Sequence, residues 1–246
     1  MSRVRIAVVG AGEFGRHHAR VLSRLPGAEL AAVADVNRSR AEAVAAEFGC
    51  RAISDYQELA GHVEAATVAA PTLLHAEIGA WLLEHGIDVL VEKPIAESLD
   101  SADRLLAAAT RNGRILQVGH LERFNPVVEA ASASARLPLF FEVHRMSVFT
   151  PRSLDIDVVL DLMIHDIDTV LHLTGRLPSA VSAVGVAVLS STVDIANARL
   201  EFEDGCVANL TASRVSQERL RRIRFFQADA YVSIDLFAKS GEVLRL

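Results

Sequence analysis

Early in the chain, Gly10-Ala11-Gly12-Glu13-Phe14-Gly15 sets three glycines at G-x-G-x-x-G spacing, after an apolar run from Val4 to Val9 and before a helical pattern. Glycine at these places permits a tight turn, lets the backbone approach a pyrophosphate, and lets helix and strand pack closely. The N–H groups of the helix N-terminus then face the anion. Glu13 and Phe14 stand inside this turn and are expected to border the same ligand. Asp35 closes the next β-branched run, 20 residues after Gly15, where a carboxylate accepts hydrogen bonds from an adenosine ribose. Such a carboxylate repels a 2′-phosphate, which favours NAD over NADP; Arg38, close by, can stack on adenine or pair with a phosphate. The plainer alternative is a glycine turn, with Asp35 as a cap.

Three more clusters carry chemistry: Ala70-Pro71-Thr72 with His75, then Glu92-Lys93-Pro94, then Asp161-x-x-x-His165 with Asp168 beyond it. A lysine at the carboxyl end of a parallel strand lies on the rim where open α/β sheets bind ligands. A lysine or histidine there can take the proton that a carbinol loses as hydride departs. Asp161 and His165 are i, i+4 neighbours, so one helix face carries both and the carboxylate can orient the imidazole. The alternative is a solvated stripe of Asp161, His165, Asp168 and His172 on an amphipathic helix. With no H-E-x-x-H and no cysteine-rich companion, no metal is expected.

Positioning these residues takes an alternation of short strands and helices. Strands are expected at 4–9, 30–34, 64–70, 87–91 and 114–118. Helices are expected from Phe14 toward Pro26, where Phe14, Val21, Leu22 and Leu25 share a face, and over 39–48, 73–85 and 99–111. This is βαβ rhythm, hence a doubly wound parallel sheet. After Gly119 the rhythm changes. Asn125-Pro126 reads as an N-cap with proline in the first helical position, and the helix runs to about Ala135. A strand follows over 139–148, a helix over 157–173, and successive strands over 181–189, 195–202, 207–213, 221–227 and 231–237, with Glu203-Asp204-Gly205 as a hairpin and Ser240-Gly241-Glu242 as a turn. The expectation is a Rossmann domain over residues 1–119 and an α+β domain over 120–246 with a large, mostly antiparallel open sheet.

Composition sets outer limits. The 246 residues are 51% hydrophobic, with Lys+Arg 25 against Asp+Glu 31 and a net charge of -6, so no basic field attracts nucleic acid or anionic lipid. No apolar stretch reaches the ~18–20 residues of a membrane helix. The start imitates a signal peptide, but Glu13 and Arg16 follow at once with no A-x-A-like site. Cys50 and Cys206 suit a reducing compartment, and a cytoplasmic protein is expected.

Taken together, the glycine fingerprint, Glu92-Lys93-Pro94 and Asp161-x-x-x-His165 resemble the glucose-fructose oxidoreductase and inositol dehydrogenase family (Gfo/Idh/MocA), along essentially the whole chain. The resemblance implies an NAD(P)-dependent enzyme that oxidises or reduces a ring hydroxyl of a sugar or cyclitol. It implies that Pro71, Thr72, His75, Glu92 and Lys93 border the cofactor. It also implies that Lys93, Asp161 and His165 act at the substrate hydroxyl, with His165 as leading acid/base, Lys93 as partner or substitute, and Asp161 as orienter. Lys93 and His165 are then expected to converge beside the nicotinamide. The segment 119–126, with residues 157–168, is similar to the subgroup that oxidises the 3-hydroxyl of UDP-N-acetylglucosamine. Arg123 and Asn125 would suit a polyhydroxylated or anionic ligand, unless Asn125 only caps its helix. Arg145 and Arg152, flanking the first strand of the second half, would meet a diphosphate. Family members run longer than this chain, which leaves the cofactor motifs untouched; an open sheet face predicts a homodimer or homotetramer. A dinucleotide-binding regulator without catalysis is the competing class, and it has no need of the lysine and Asp-x-x-x-His set.

Overall fold

The computed structural model describes residues 3–150 and 156–245. The chain forms two compact units, Met1–Gly119 and His120–Leu246.

In the first unit, β1 (Val4–Val9), β2 (Ala28–Ala34), β3 (Arg51–Ile53), β4 (Ala65–Val68), β5 (Asp88–Val91) and β6 (Leu116–Val118) alternate with α1 (Glu13–Leu22), α2 (Arg38–Phe48), α3 (His75–Glu84) and α4 (Leu99–Asn112). The strands pair in parallel in the order β3-β2-β1-β4-β5-β6. The order reverses between β1 and β4, so the carboxyl ends of those two strands open the crevice where such sheets take ligands. Local chemistry sets the helix ends. Asn37 caps α2 by accepting the Arg40 N–H at 3.1 Å, Ser98 caps α4 by accepting the Ser101 N–H at 3.2 Å, and left-handed Gly49 and Gly113 stop the two helices. Strand β3 was not anticipated: three residues are too short for alternation to register, and they are strand only because β2 offers an open edge.

The second unit holds α5 (Pro126–Ser134), β7 (Phe140–Met146), α6 (Ile164–Thr174), β8 (Ala180–Val186), β9 (Ile195–Glu201), β10 (Val207–Ser213), β11 (Leu220–Gln227), β12 (Ala230–Asp235) and β13 (Ser240–Arg245). Its sheet runs β13-β12-β11-β7-β10-β9-β8 and is antiparallel apart from the parallel β7–β10 pair. One face buries Phe141, Leu210, Ile223 and Phe225 beneath α5 and α6, in a core with Val128, Met163 and Val170. The Ser240-Gly241-Glu242 expectation fails, since these residues open β13. The reversal comes earlier, where the Asp235 carboxylate accepts the Phe237 and Ala238 N–H groups. Gly241 serves close strand approach, as a Cβ there would stand 2.8 Å from the Ser233 carbonyl oxygen. The helix expected from residue 157 opens instead with a π turn over Val159–Met163.

One buried ion pair joins helix to sheet in this unit. Arg145 of β7 points into the core, 2% exposed, and donates from Nε and Nη2 to the Asp166 carboxylate of α6 at 2.8–3.0 Å. A further contact to Glu122 measures 3.4 Å. Burial works to lower the Arg145 pKa, and Asp166 and Glu122 more than offset it. Burial pushes the Asp166 carboxyl up, with Arg145 drawing it back. Removing one partner strands the other charge in the core, whereas replacing both with apolar groups does not. Arg145→Met is therefore expected to cost ~3–5 kcal/mol, and Arg145→Met with Asp166→Leu to recover more than half of that loss, as read by denaturant unfolding.

Candidate functional site

The glycine turn is built as its spacing requires. Gly10 has φ +98°, and a Cβ on it would lie 2.6 Å from the Ala69 carbonyl oxygen at the end of β4. A Cβ on Gly15 would lie 1.7 Å from the Gly10 carbonyl oxygen, so α1 presses directly onto the turn. Around Gly12 there is open space, and no side chain caps α1. The first N–H groups of a helix lack intrahelical acceptors, which leaves this end suited to a pyrophosphate.

Asp35 follows β2 with its side chain 7% exposed. One carboxylate oxygen accepts the Ala11 N–H at 2.7 Å; the other accepts the Asn37 N–H at 2.7 Å and faces Arg40 at 3.3 Å. Each oxygen offers two lone pairs, so the one bonded to Ala11 retains capacity for a ribose hydroxyl. A cavity of about 510 Å³ is bordered by Gly10, Gly12, Glu13, Phe14, Asp35 and Pro71, an arrangement that fits a dinucleotide. Arg38 does not border it: its guanidinium pairs with Glu42 at 2.8 Å on the exposed side of α2. Arg40 is the cation beside Asp35. Its signal was the N-cap at Asn37, which turns the residue three places on back toward the sheet edge.

Thr72 and His75 are buried. Thr72 is 8% and His75 1% exposed, and neither borders the cavity. The two imidazole nitrogens of His75 lie 2.9 Å from the Ala70 and Pro94 carbonyl oxygens, which ties together the loops that follow β4 and β5. Glu92 and Lys93 follow β5, and neither borders the cavity. Glu92 is buried and Lys93 partly so. The Glu92 carboxylate lies 2.8 Å from His18 Nε2, a partner that was not foreseen. Of the apolar face expected on the first helix only Leu22 is buried; Phe14, Val21 and Leu25 are 58%, 57% and 50% exposed, and Gly15 and Ala19 pack with Leu22 instead. The face that packs is marked by small residues, and His18 adjoins it.

In the second unit, Asp161 lies in the π turn and His165 in the first turn of α6, both partly buried. Bonding of the i→i+5 kind widens a turn, so the i, i+4 alignment expected of an ordinary helix does not carry over unchanged. The solvated stripe is not found: Asp168 is 6% exposed and receives the Arg123 guanidinium, with Nε at 2.8 Å.

Three of the four residues expected at the substrate have partners within the second unit. Arg123 is held by Asp168. Asn125 caps α5 through the Val127 N–H at 3.3 Å and donates to the Leu236 carbonyl at 3.1 Å. Arg145 is locked in the core, where no diphosphate reaches it without breaking the Asp166 pair. Arg152 lies outside the described residues.

Residues 4–120 match the profile of the oxidoreductase family with NAD-binding Rossmann fold, and residues 128–232 match the Gfo/Idh/MocA C-terminal domain. A UDP-N-acetylglucosamine 3-dehydrogenase of Acidithiobacillus ferrooxidans is 40% identical over 236 residues, covering 96% of this chain and 75% of the relative. A solved structure of that enzyme superposes with a TM-score of 0.94 at 38% identity, covering 100% of this chain and 81% of the other. An inositol 2-dehydrogenase of Rubrobacter xylanophilus is 38% identical over 177 residues, covering 68% of this chain and 51% of the relative. The fingerprint turn, the parallel sheet and these matches over both units establish that the chain belongs to the Gfo/Idh/MocA family of NAD-binding oxidoreductases.

Proposed function

We propose that this oxidoreductase oxidises the 3-hydroxyl of UDP-N-acetylglucosamine with NAD. The observation that carries this reading is the 40% identity to a UDP-N-acetylglucosamine 3-dehydrogenase along 96% of the chain. Supporting it, the first unit offers a dinucleotide cradle bordered by Gly10, Gly12 and Asp35. On this reading the Gly10–Gly12 turn and the start of α1 receive the pyrophosphate, and Asp35 accepts the adenosine ribose hydroxyls. Bound NAD supplies the hydride acceptor. His165 takes the proton of the reacting hydroxyl, Lys93 assists or substitutes for it, and Asp161 orients the imidazole. The second unit binds the sugar nucleotide.

We also propose that the chain works in the cytoplasm, as a homodimer or homotetramer that covers its open sheet face. Among the described residues no helix is long and apolar enough to cross a membrane. An inositol-type dehydrogenase is the second reading, favoured by the Rubrobacter relative.

Three measurements test this. NADP should bind at least ~10-fold more weakly than NAD, and Asp35→Asn should narrow that ratio, because the carboxylate repels a 2′-phosphate; tighter NADP binding contradicts the role given to Asp35. Among nucleotide sugars and free sugars, NADH should form with UDP-N-acetylglucosamine and not with inositol or glucose, and the reverse pattern selects the second reading. Lys93→Ala and His165→Ala should each lower turnover by about 10² with NAD affinity preserved, whereas full turnover in both variants rejects the assignment.

A further inference from the structure

We infer that His18 is a positioning residue for Lys93, acting through the Glu92 carboxylate. The inference rests on the reading of Lys93 as a group that acts at the substrate hydroxyl. The Glu92 and His18 side chains are 10% and 17% exposed, and His18 Nε2 stands 2.8 Å from Glu92 Oε1. A carboxylate this buried requires hydrogen-bond partners, and its second oxygen accepts the backbone N–H of Lys93 at 3.3 Å. Room for it is reserved at Gly119, where a Cβ would fall 3.1–3.2 Å from the three carboxyl atoms.

One carboxylate therefore links three segments of the first unit: α1, the residue pair after β5, and the end of β6. Helix α1 is itself seated on the dinucleotide turn through Gly15. The backbone that carries Lys93 is thus referenced to the cofactor cradle by two hydrogen bonds, His18 to Glu92 and Lys93 N–H to Glu92. Either a neutral imidazole with its proton on Nε2 or an imidazolium makes the first bond. Glu92 does not border the cavity, so it needs no direct contact with the dinucleotide to serve this end. Displacing a reacting group by ~1 Å costs about 10² in rate, and loosening the tether is expected to cost part of that.

The test uses the full-length protein with NAD and UDP-N-acetylglucosamine, and it compares His18→Leu, His18→Gln, Glu92→Gln and Lys93→Ala. His18→Leu should lower kcat by about 10-fold with NAD affinity within ~2-fold of the parent. His18→Gln keeps an amide donor near the Nε2 position and should restore most of that loss. Glu92→Gln, which weakens a charge-assisted bond, should fall between the two.

A second readout needs no substrate. Lys93 and Lys239 are the only lysines of the chain, so their acylation rates can be followed separately by mass spectrometry. His18→Leu should change the Lys93 rate severalfold and leave that of Lys239 unaltered. Unchanged kcat and unchanged Lys93 reactivity in His18→Leu overturn the inference. So does a parallel fall of kcat, NAD affinity and Tm that Gln does not rescue, which marks the pair as structural only. If Lys93→Ala keeps full turnover, the reading of Lys93 fails; if Lys93→Ala is inactive while His18→Leu keeps the parent kcat, the positioning inference alone fails.

Discussion

The contact between Gly15 and the Gly10 carbonyl decides how close helix α1 comes to the first strand, and most of the cofactor half is arranged around that approach. With only hydrogens on residue 15, the helix axis can run almost onto the turn, and the backbone N–H groups at its start meet the crevice between β1 and β4. The same closeness brings His18, one turn further along, within reach of a carboxylate at the end of β5. A larger residue at 15 meets backbone, which has no rotamer with which to yield. The glycine therefore places the start of α1 toward the crevice and its second turn, with His18, toward Glu92.

The second unit spends its arginines on internal order. Arg145 and Arg123 each take a carboxylate of α6, Asp166 in the core and Asp168 nearer the surface. The two pairs fix the rotation and depth of the helix that carries His165, on the side where Asp166 and Asp168 lie. Burying such groups is costly unless they are paired, and each nitrogen of the Arg145 guanidinium faces a carboxylate oxygen of Asp166 or Glu122. A planar fork of donors suits this better than a lysine would.

Much of the plan was legible in the sequence because period and punctuation agree with tertiary structure. The β-branched runs mark buried parallel strands, and Asn125-Pro126 marks the start of α5 where the cap is found. Gly10 and Gly15 of the fingerprint lie where the backbone is too crowded for any side chain. Legibility ended where a residue's partner is distant in sequence. Alternation along β7 puts Arg145 on the face of Phe141 and Val143, but nothing near it shows that Asp166 waits beneath. His18 was hidden for the same reason, and two of the three buried residues of α1, Gly15 and Ala19, are too small to mark its packing face. The π turn is a one-residue change of register that no local preference announces.

Strand β7 closes the sheet of the second unit from its middle, lying between β10 and β11 although it comes first of the seven. The ribbons β8-β9-β10 and β11-β12-β13 each join near neighbours through short reversals, so each can form locally. Phe140–Met146 must wait for partners that begin at Val207 and Leu220, and closing so long a stretch of chain carries an entropic cost before any contact repays it. Assembly of this half is thereby expected to be limited by capture of the central strand between two preformed ribbons, which would make its folding rate sensitive to loop length between β7 and β10 and little affected by changes at the outer edges.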